Sequence, residues 1–392
     1  MGDVHAGRLV LRTLLVAAVL LAAGCTSNGE PPGDGPYPPP DGLLDPHVQN
    51  DALGRGVNFG NLLDAPNEGD WSGGLVIQES HFALAAAAGF DSVRLPVKFS
   101  GHARAGAPYT IDAAFLDRVA QVVGWGVAHD LRVVITMHHY DEIHRDPRAH
   151  RRRFAALWTQ IATRFRDAPD GVYYELLNEP NGALTDAVWN DVLEDALRAI
   201  RAVDPHHTVV VGCNDWGNPS GLDGLVVPAE ETNAIVTFHY YAPSLFTFQG
   251  KEWMGPDWAT TGITWPGPPP APVALATGVG AWVRDWIRAY NETPGDSNPA
   301  SEAMVQRELR GAAAWGESHG RPLWMSEFTA QNGADLASRA RWISAVRREL
   351  EAQGIPWSFW TLCSDAGTRL HESCEGAWTP ELAAALGLAD PE

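Results

Sequence analysis

The chain has 392 residues, 45% of them hydrophobic and 19% charged, a balance that excludes a disordered chain and a multi-spanning membrane protein. Its 48 acidic and 28 basic residues leave a formal net charge of −20, a surface that repels a phosphate backbone, so nucleic acid is not an expected partner. The length accommodates two or three average domains, or equally one α/β barrel.

At the N-terminus Arg8 and Arg12 lead into an apolar run over residues 13–23, too short for the ~20 residues of a bilayer span. Residues 1–25 therefore read as a signal peptide. Its end, Leu21-Ala22-Ala23-Gly24-Cys25, resembles the lipobox of bacterial lipoproteins. That resemblance implies lipidation at Cys25 and a protein held at the cell surface or membrane by a lipid anchor only, with plain cleavage and secretion as the alternative. Residues 26–46 are rich in Gly and Pro, have little to bury, and read as a spacer. The remainder, 47–392, is expected to be one domain.

Short β-branched runs then recur at 55–59, 92–97, 132–138, 171–177, 208–212, 234–239, 322–327 and 356–360. Between most of them lie stretches with apolar residues at helical spacing, among them 114–129, 151–165, 186–203 and 336–352. Strand alternating with helix implies a parallel sheet with right-handed crossovers, and eight such units close a (β/α)8, or TIM, barrel. The interval between the sixth and seventh runs is about twice the others, with helix-like segments at 281–290 and 301–318 but no further strands. It reads as an enlarged loop on the face where such barrels do their chemistry. Cys363 and Cys374 flank a short polar loop and can pair in an oxidising compartment, whereas Cys213 lies in an apolar run and reads as a buried thiol.

Polar residues at the carboxyl ends of barrel strands converge on one cavity. Here they are Asn58 and Asn61, Arg94, His138 and His139, Asn178 and Glu179, Asn214 and Trp216, His239 and Tyr241, Glu327, and Trp360. Glu179 and Glu327 are far apart in sequence, but the fourth and seventh strands of a barrel face each other across its mouth. Two carboxyl groups beside aromatic rings are what glycoside hydrolysis needs, one protonating the leaving oxygen and the other attacking the anomeric carbon.

Nine segments in order, Gly54-Arg-Gly-Val-Asn-Phe-Gly-Asn, Ala65-Pro-Asn-Glu-Gly-Asp-Trp, Val93-Arg-Leu-Pro-Val, Met137-His-His-Tyr-Asp-Glu, Leu177-Asn-Glu-Pro, Phe238-His-Tyr-Tyr, Gln249-Gly-Lys-Glu-Trp, Ser326-Glu-Phe and Phe359-Trp, together resemble glycoside hydrolase family 5, above all its bacterial endo-β-1,4-glucanases. The resemblance implies Glu179 as acid/base and Glu327 as nucleophile of a retaining reaction. It also implies that Arg94, His138, His139, Asn178, His239 and Tyr241 surround the substrate, that Trp360 stacks on a sugar, and that Asn61 and the 65–71 loop lie on the glycone side. Retention requires carboxyl groups ~5–5.5 Å apart. Asp64, Phe248 and Thr361 depart from the family's commoner Glu, His and Glu, which leaves the choice between glucan and mannan open.

Bland readings stand beside these. A strand-end Glu is more often ion-paired or helix-capping than catalytic, Arg94 can be a structural ion pair, and Trp71, Trp253 and Trp258 can be sugar platforms or loop anchors. A metal on His138 and His139 is set aside because neighbours on a strand point to opposite faces. Asp141, Glu142 and Glu175 read as solvated or hydrogen-bonding. The expected protein is thus a monomeric, cofactor-free hydrolase of β-linked polysaccharide. A mannanase or exo-glucosidase of the same family, or a non-catalytic carbohydrate-binding lipoprotein, are the alternatives.

Overall fold

A computed structural model of the protein describes residues 44–388. The expected signal peptide, Cys25 and the spacer up to residue 43 lie outside the described residues. The last spacer residues belong to the fold instead: Asp45 accepts the His47 N–H through its side chain and starts α1 (Pro46–Leu53), with Pro at the first helical position.

All eight expected strands form. β1 (Arg55–Asn58), β2 (Ser92–Val97), β3 (Arg132–Met137), β4 (Val172–Glu175), β5 (Val209–Gly212), β6 (Ala234–Tyr240), β7 (Leu323–Phe328) and β8 (Trp357–Phe359) run parallel in sequence order, and β8 pairs with β1 to close a TIM barrel. Around it lie α2 (Glu79–Ala87), α3 (Ala113–Ala128), α4 (Asp141–Arg145), α5 (Pro147–Phe165), α6 (Asp186–Arg201), α7 (Ser244–Thr247), α8 (Ala281–Glu292), α9 (Glu302–His319), α10 (Leu336–Ala352) and α11 (Pro380–Ala385). Local chemistry sets their ends. Asp146, Ser301 and Asp335 each accept a first-turn N–H of the helix they precede, and Gly320 ends α9 in the left-handed conformation at φ 60°. No described helix is long and apolar enough to cross a membrane.

Side chains alternate along each strand, so one set faces the helices and the other fills the barrel. The outward set, including Val57, Val93, Leu95, Val133, Ile135, Val211, Phe238 and Met325, packs with the helices into the main core. At the amino-terminal end of the barrel, Val134, Tyr173, Val210, Ile235 and Trp324 form a separate apolar layer closed by Leu53 of α1. Hydrogen bonds fix that plug: Asn50 donates to Leu323 O, the Tyr173 hydroxyl to Gln49 and the Ser92 hydroxyl to Leu53 O. One step further along the strands the interior turns polar, with Asn58, Arg94, Thr136, Glu175, Thr237, Ser326 and Ser358 all buried. This layer carries the floor of the cleft.

The β6–β7 connection contains helices but no strand, as expected of a loop built onto the barrel. Buried Gln249 holds its base, donating to Phe246 O and Ile263 O and accepting the Ile263 N–H, while Trp265 and Tyr290 bury its centre. Cys363 and Cys374 are disulfide-bonded with Cα atoms 5.3 Å apart, and Cys213 is a buried free thiol.

Candidate active site

The centre of the cleft is organised by Arg94, which has no exposed surface. A buried guanidinium must have all its donors met. Nε and one terminal nitrogen form a two-pronged pair with Glu175 at 2.6 and 2.7 Å, and the latter nitrogen also reaches Asn178 Oδ1 at 2.8 Å. The other terminal nitrogen donates to Asn58 Oδ1 at 3.1 Å and to Glu327 Oε1. Burial alone would push the guanidinium down, but the Glu175 and Glu327 carboxylates outweigh it and raise its pKa above the usual arginine value. Arg94 is thus permanently charged beside Glu327.

Of the two readings of Glu175, solvated or hydrogen-bonding near the mouth, the second holds: it is 1% exposed, inside the barrel, and also accepts the Thr136 hydroxyl at 2.7 Å. Strand alternation explains this: Tyr173 and Glu175 share the inward face of β4.

Glu327 reaches the cleft through an irregularity in β7. Phe238 pairs with Met325 and His239 with Glu327, so the register skips Ser326. Strict alternation would send Glu327 away from Ser326, whose hydroxyl accepts from Thr237 inside the barrel. The bulge aims both inward. The second Glu327 oxygen accepts the Tyr241 hydroxyl at 2.8 Å. Burial and the Glu327 and Glu179 carboxylates hold Tyr241 well above the usual phenol range, which keeps it a neutral donor.

Glu179, half-buried, lies just past β4 with φ 47°, a left-handed conformation that a Glu adopts only under local constraint. Its Oε1 is 2.9 Å from His239 Nδ1, which is also 3.6 Å from Glu327 Oε2. Burial opposes charge on His239, but Glu327 and the hydrogen-bonded Glu179 outweigh it and raise its pKa. Glu179 was expected to have neighbours that donate little; His239 is the exception. One carboxylate oxygen of each glutamate and the His239 nitrogen lie within 4.8 Å of one another.

Trp360, after β8, lies over Gly60, where a Cβ would clash with its ring, and runs nearly parallel to His138 at 5.9 Å. Burial, reinforced by the neighbouring His139, Arg94 and His239, holds His138 well below the ordinary histidine range and therefore neutral. His138 and His139 do not point to opposite faces as strand alternation implied. β3 ends at Met137 and His139 takes φ 52°, so the two rings meet edge to face with centroids 4.5 Å apart. Asn61 (φ 61°), Asp64, His139 and the exposed Trp71 line this flank, with Trp71 edge-on to His139 at 5.2 Å.

Beside Glu179 a cavity of about 370 Å³ is lined by His139, Asp141, His144, Asn178, Asn181 and Trp216, among others. Trp216, noted at the end of the fifth run but given no role, is exposed beside Glu179. The structure therefore brings Arg94, His138, His139, Asn178, Glu179, His239, Tyr241, Glu327 and Trp360 to one cleft. Trp253 stands further out at 68% exposure, linked through Phe248 to Tyr241, while Trp258 is half-buried against Trp282.

Residues 51–366 match the family model "Cellulase (glycosyl hydrolase family 5)". The chain is 31% identical to Endoglucanase H of Acetivibrio thermocellus over 81% of its length and 29% identical to Endoglucanase 3 of Fibrobacter succinogenes over 79%. It spans only 30% and 49% of the lengths of those two relatives. Among solved structures it resembles Thermotoga maritima Cel5A in complex with mannotriose, at 38% identity with a TM-score of 0.76, covering 87% of this chain and all of that one. The same protein in complex with cellobiose gives 39% identity and the same TM-score.

Proposed function

Because the chain belongs to the cellulases of glycosyl hydrolase family 5, we propose that it is a retaining endo-β-1,4-glycanase whose main substrate is β-1,4-linked glucan. The observation that carries the reading is the Glu179–Glu327 pair. The two carboxylates approach within 4.8 Å at the mouth of one barrel, and only Glu327 is held by a buried guanidinium and a phenol. That spacing suits a nucleophile and leaves little room for the extra water that inversion requires.

In the first step Glu327 attacks the anomeric carbon as the bond to the leaving oxygen breaks, and Glu179 gives that oxygen its proton. In the second, Glu179 takes a proton from water, which displaces Glu327 and restores the β configuration. Asn178 spends its carbonyl on Arg94, which leaves its amide N–H groups free for the sugar 2-OH. Trp360 lies beneath the ring being cleaved, and the cavity beside Trp216 receives the leaving sugars. Asn61, His138 and His139 bind the glycone side, and no cofactor takes part.

The test is a panel of lichenan, carboxymethylcellulose, glucomannan and galactomannan. Glucan is expected to be cut fastest, with a rapid fall in viscosity, and Glu179→Gln to lower kcat by about 10²–10⁴-fold. Release of single glucose units without loss of viscosity would contradict endo action. Mannans belong on the panel because Cel5A, a similar protein, was solved with mannotriose as well as cellobiose. Lipidation at Cys25 is part of the same proposal: Cys25→Ser is expected to release the protein from the membrane fraction, and unchanged membrane retention would count against the anchor.

A further inference from the structure

Asp64 has no exposed surface, yet only one of its oxygens is used. Oδ1 accepts the Leu62 N–H at 2.8 Å, and Oδ2 has no hydrogen-bond partner. His139 Nε2 stands 3.5 Å from Oδ2, and His138, almost fully buried, has an Nδ1 with no partner either. One donor atom from each of the three lies within 4.8 Å of the other two. A buried polar atom left without a partner costs about 1–3 kcal/mol, and two such atoms, on Asp64 and His138, belong to residues whose donor groups gather with that of His139.

We propose that Asp64, His138 and His139 bind a divalent transition-metal ion of the zinc class on the glycone side of the cleft, where ion and sugar exclude each other. A carboxylate and two imidazoles with open positions are a donor set that such dications favour. Zn–N and Zn–O bonds of roughly 2.0–2.2 Å at tetrahedral angles place neighbouring donors roughly 3.4 Å apart. The Asp64–His139 separation already has that length. The Leu62 N–H on Asp64 Oδ1 supplies the outer hydrogen bond that orients a ligating carboxylate. The other nearby group of this kind, Glu179, His239 and Glu327, differs because Glu327 is already satisfied by Arg94 and Tyr241 and Glu179 by His239.

The metal site stands independently of the hydrolase reading; only the competition with sugar rests on it. The test is calorimetric titration of Zn²⁺ into the tag-free protein, with Co²⁺ absorption as a second reading of the coordination. One Zn²⁺ per chain is expected for the wild type and for Glu327→Gln, with Asp64→Asn and His139→Gln each weakening binding by at least about 10-fold. Thermal melts without metal check that the variants fold, and His139→Gln, at a part-exposed position, carries the test if Asp64→Asn does not. Absence of stoichiometric binding, wild-type binding in both site variants, or loss only in Glu327→Gln would overturn the site. In Glu327→Gln, which cannot turn over substrate, cellotriose is expected to weaken Zn²⁺ binding. Tight Zn²⁺ binding that ignores cellotriose would overturn the exclusion alone.

Discussion

Arg94 connects stability to chemistry at the residue scale. Glu175 occupies two of its donor positions, and the remaining donors reach Asn58, Asn178 and Glu327. Glu175 is buried inside the barrel behind Arg94, so it acts as a positioning residue. Glu175→Gln is expected to lower kcat with little change in KM, and to lower stability by about 1.5–3 kcal/mol, the worth of a charge-assisted hydrogen bond, because Arg94 keeps Glu327 but loses one of its two carboxylates. Kinetics together with chemical denaturation check this, and a KM effect with kcat intact would refute it. His138 and His239, both buried at the cleft, carry opposite pH signatures. The folded pKa of His239 is raised, so its contribution to stability is full below the unfolded value of about 6.5 and is lost as pH rises through the folded value. That of His138 is lowered, so stability falls as pH drops below about 6.5, where only the unfolded chain takes up the proton. Melting temperatures against pH are expected to flatten on the alkaline side in His239→Gln and on the acidic side in His138→Gln. Candidate site residues were legible where a motif placed them at a strand end. The depth at which Glu175 is buried was not legible because its inward direction follows from the barrel's interior layers, nor was the His138–His139 arrangement, because one positive φ breaks the alternation.

Among the elements, the strands were legible because β-branched runs between helical stretches leave few other readings. α1 was not, because its Asp-Pro start continues a Gly/Pro-rich segment and its role is visible only once the barrel closes. Leu53 completes the apolar layer of Val134, Tyr173, Val210, Ile235 and Trp324 at the end remote from the cleft. Leu53→Ala is expected to cost about 2–5 kcal/mol through the cavity it leaves. Because the polar layer lies between the plug and the substrate, kcat/KM below the melting transition should stay near wild type, and a large loss of activity in a folded variant would show that the plug shapes the cleft. The β7 bulge is the opposite case: register is a property of two strands, so the segment around Ser326-Glu327 does not show by itself that both side chains turn inward.

For the whole molecule, the ordered succession of eight units made the barrel legible, while the path of the β6–β7 connection depends on long-range burial of residues such as Gln249 and Trp265. The net charge of −20 acts at this scale too. A strongly acidic enzyme repels an anionic polymer, and salt screens that repulsion over a Debye length of ~10 Å at 0.1 M. The turnover of carboxymethylcellulose relative to neutral lichenan is therefore expected to rise with ionic strength, and a flat or falling ratio would show that the cleft does not sense the overall field. The central claim, that Glu327 forms a covalent bond to the sugar while Glu179 handles the proton, is tested most directly by mass spectrometry of the protein after reaction with an activated 2-deoxy-2-fluoro-β-cellobioside. The account predicts one fluorocellobiosyl group on the peptide containing Glu327, absent in Glu327→Gln; an adduct on Glu179, or turnover of the fluoroglycoside with no adduct and an inverted product, would contradict it.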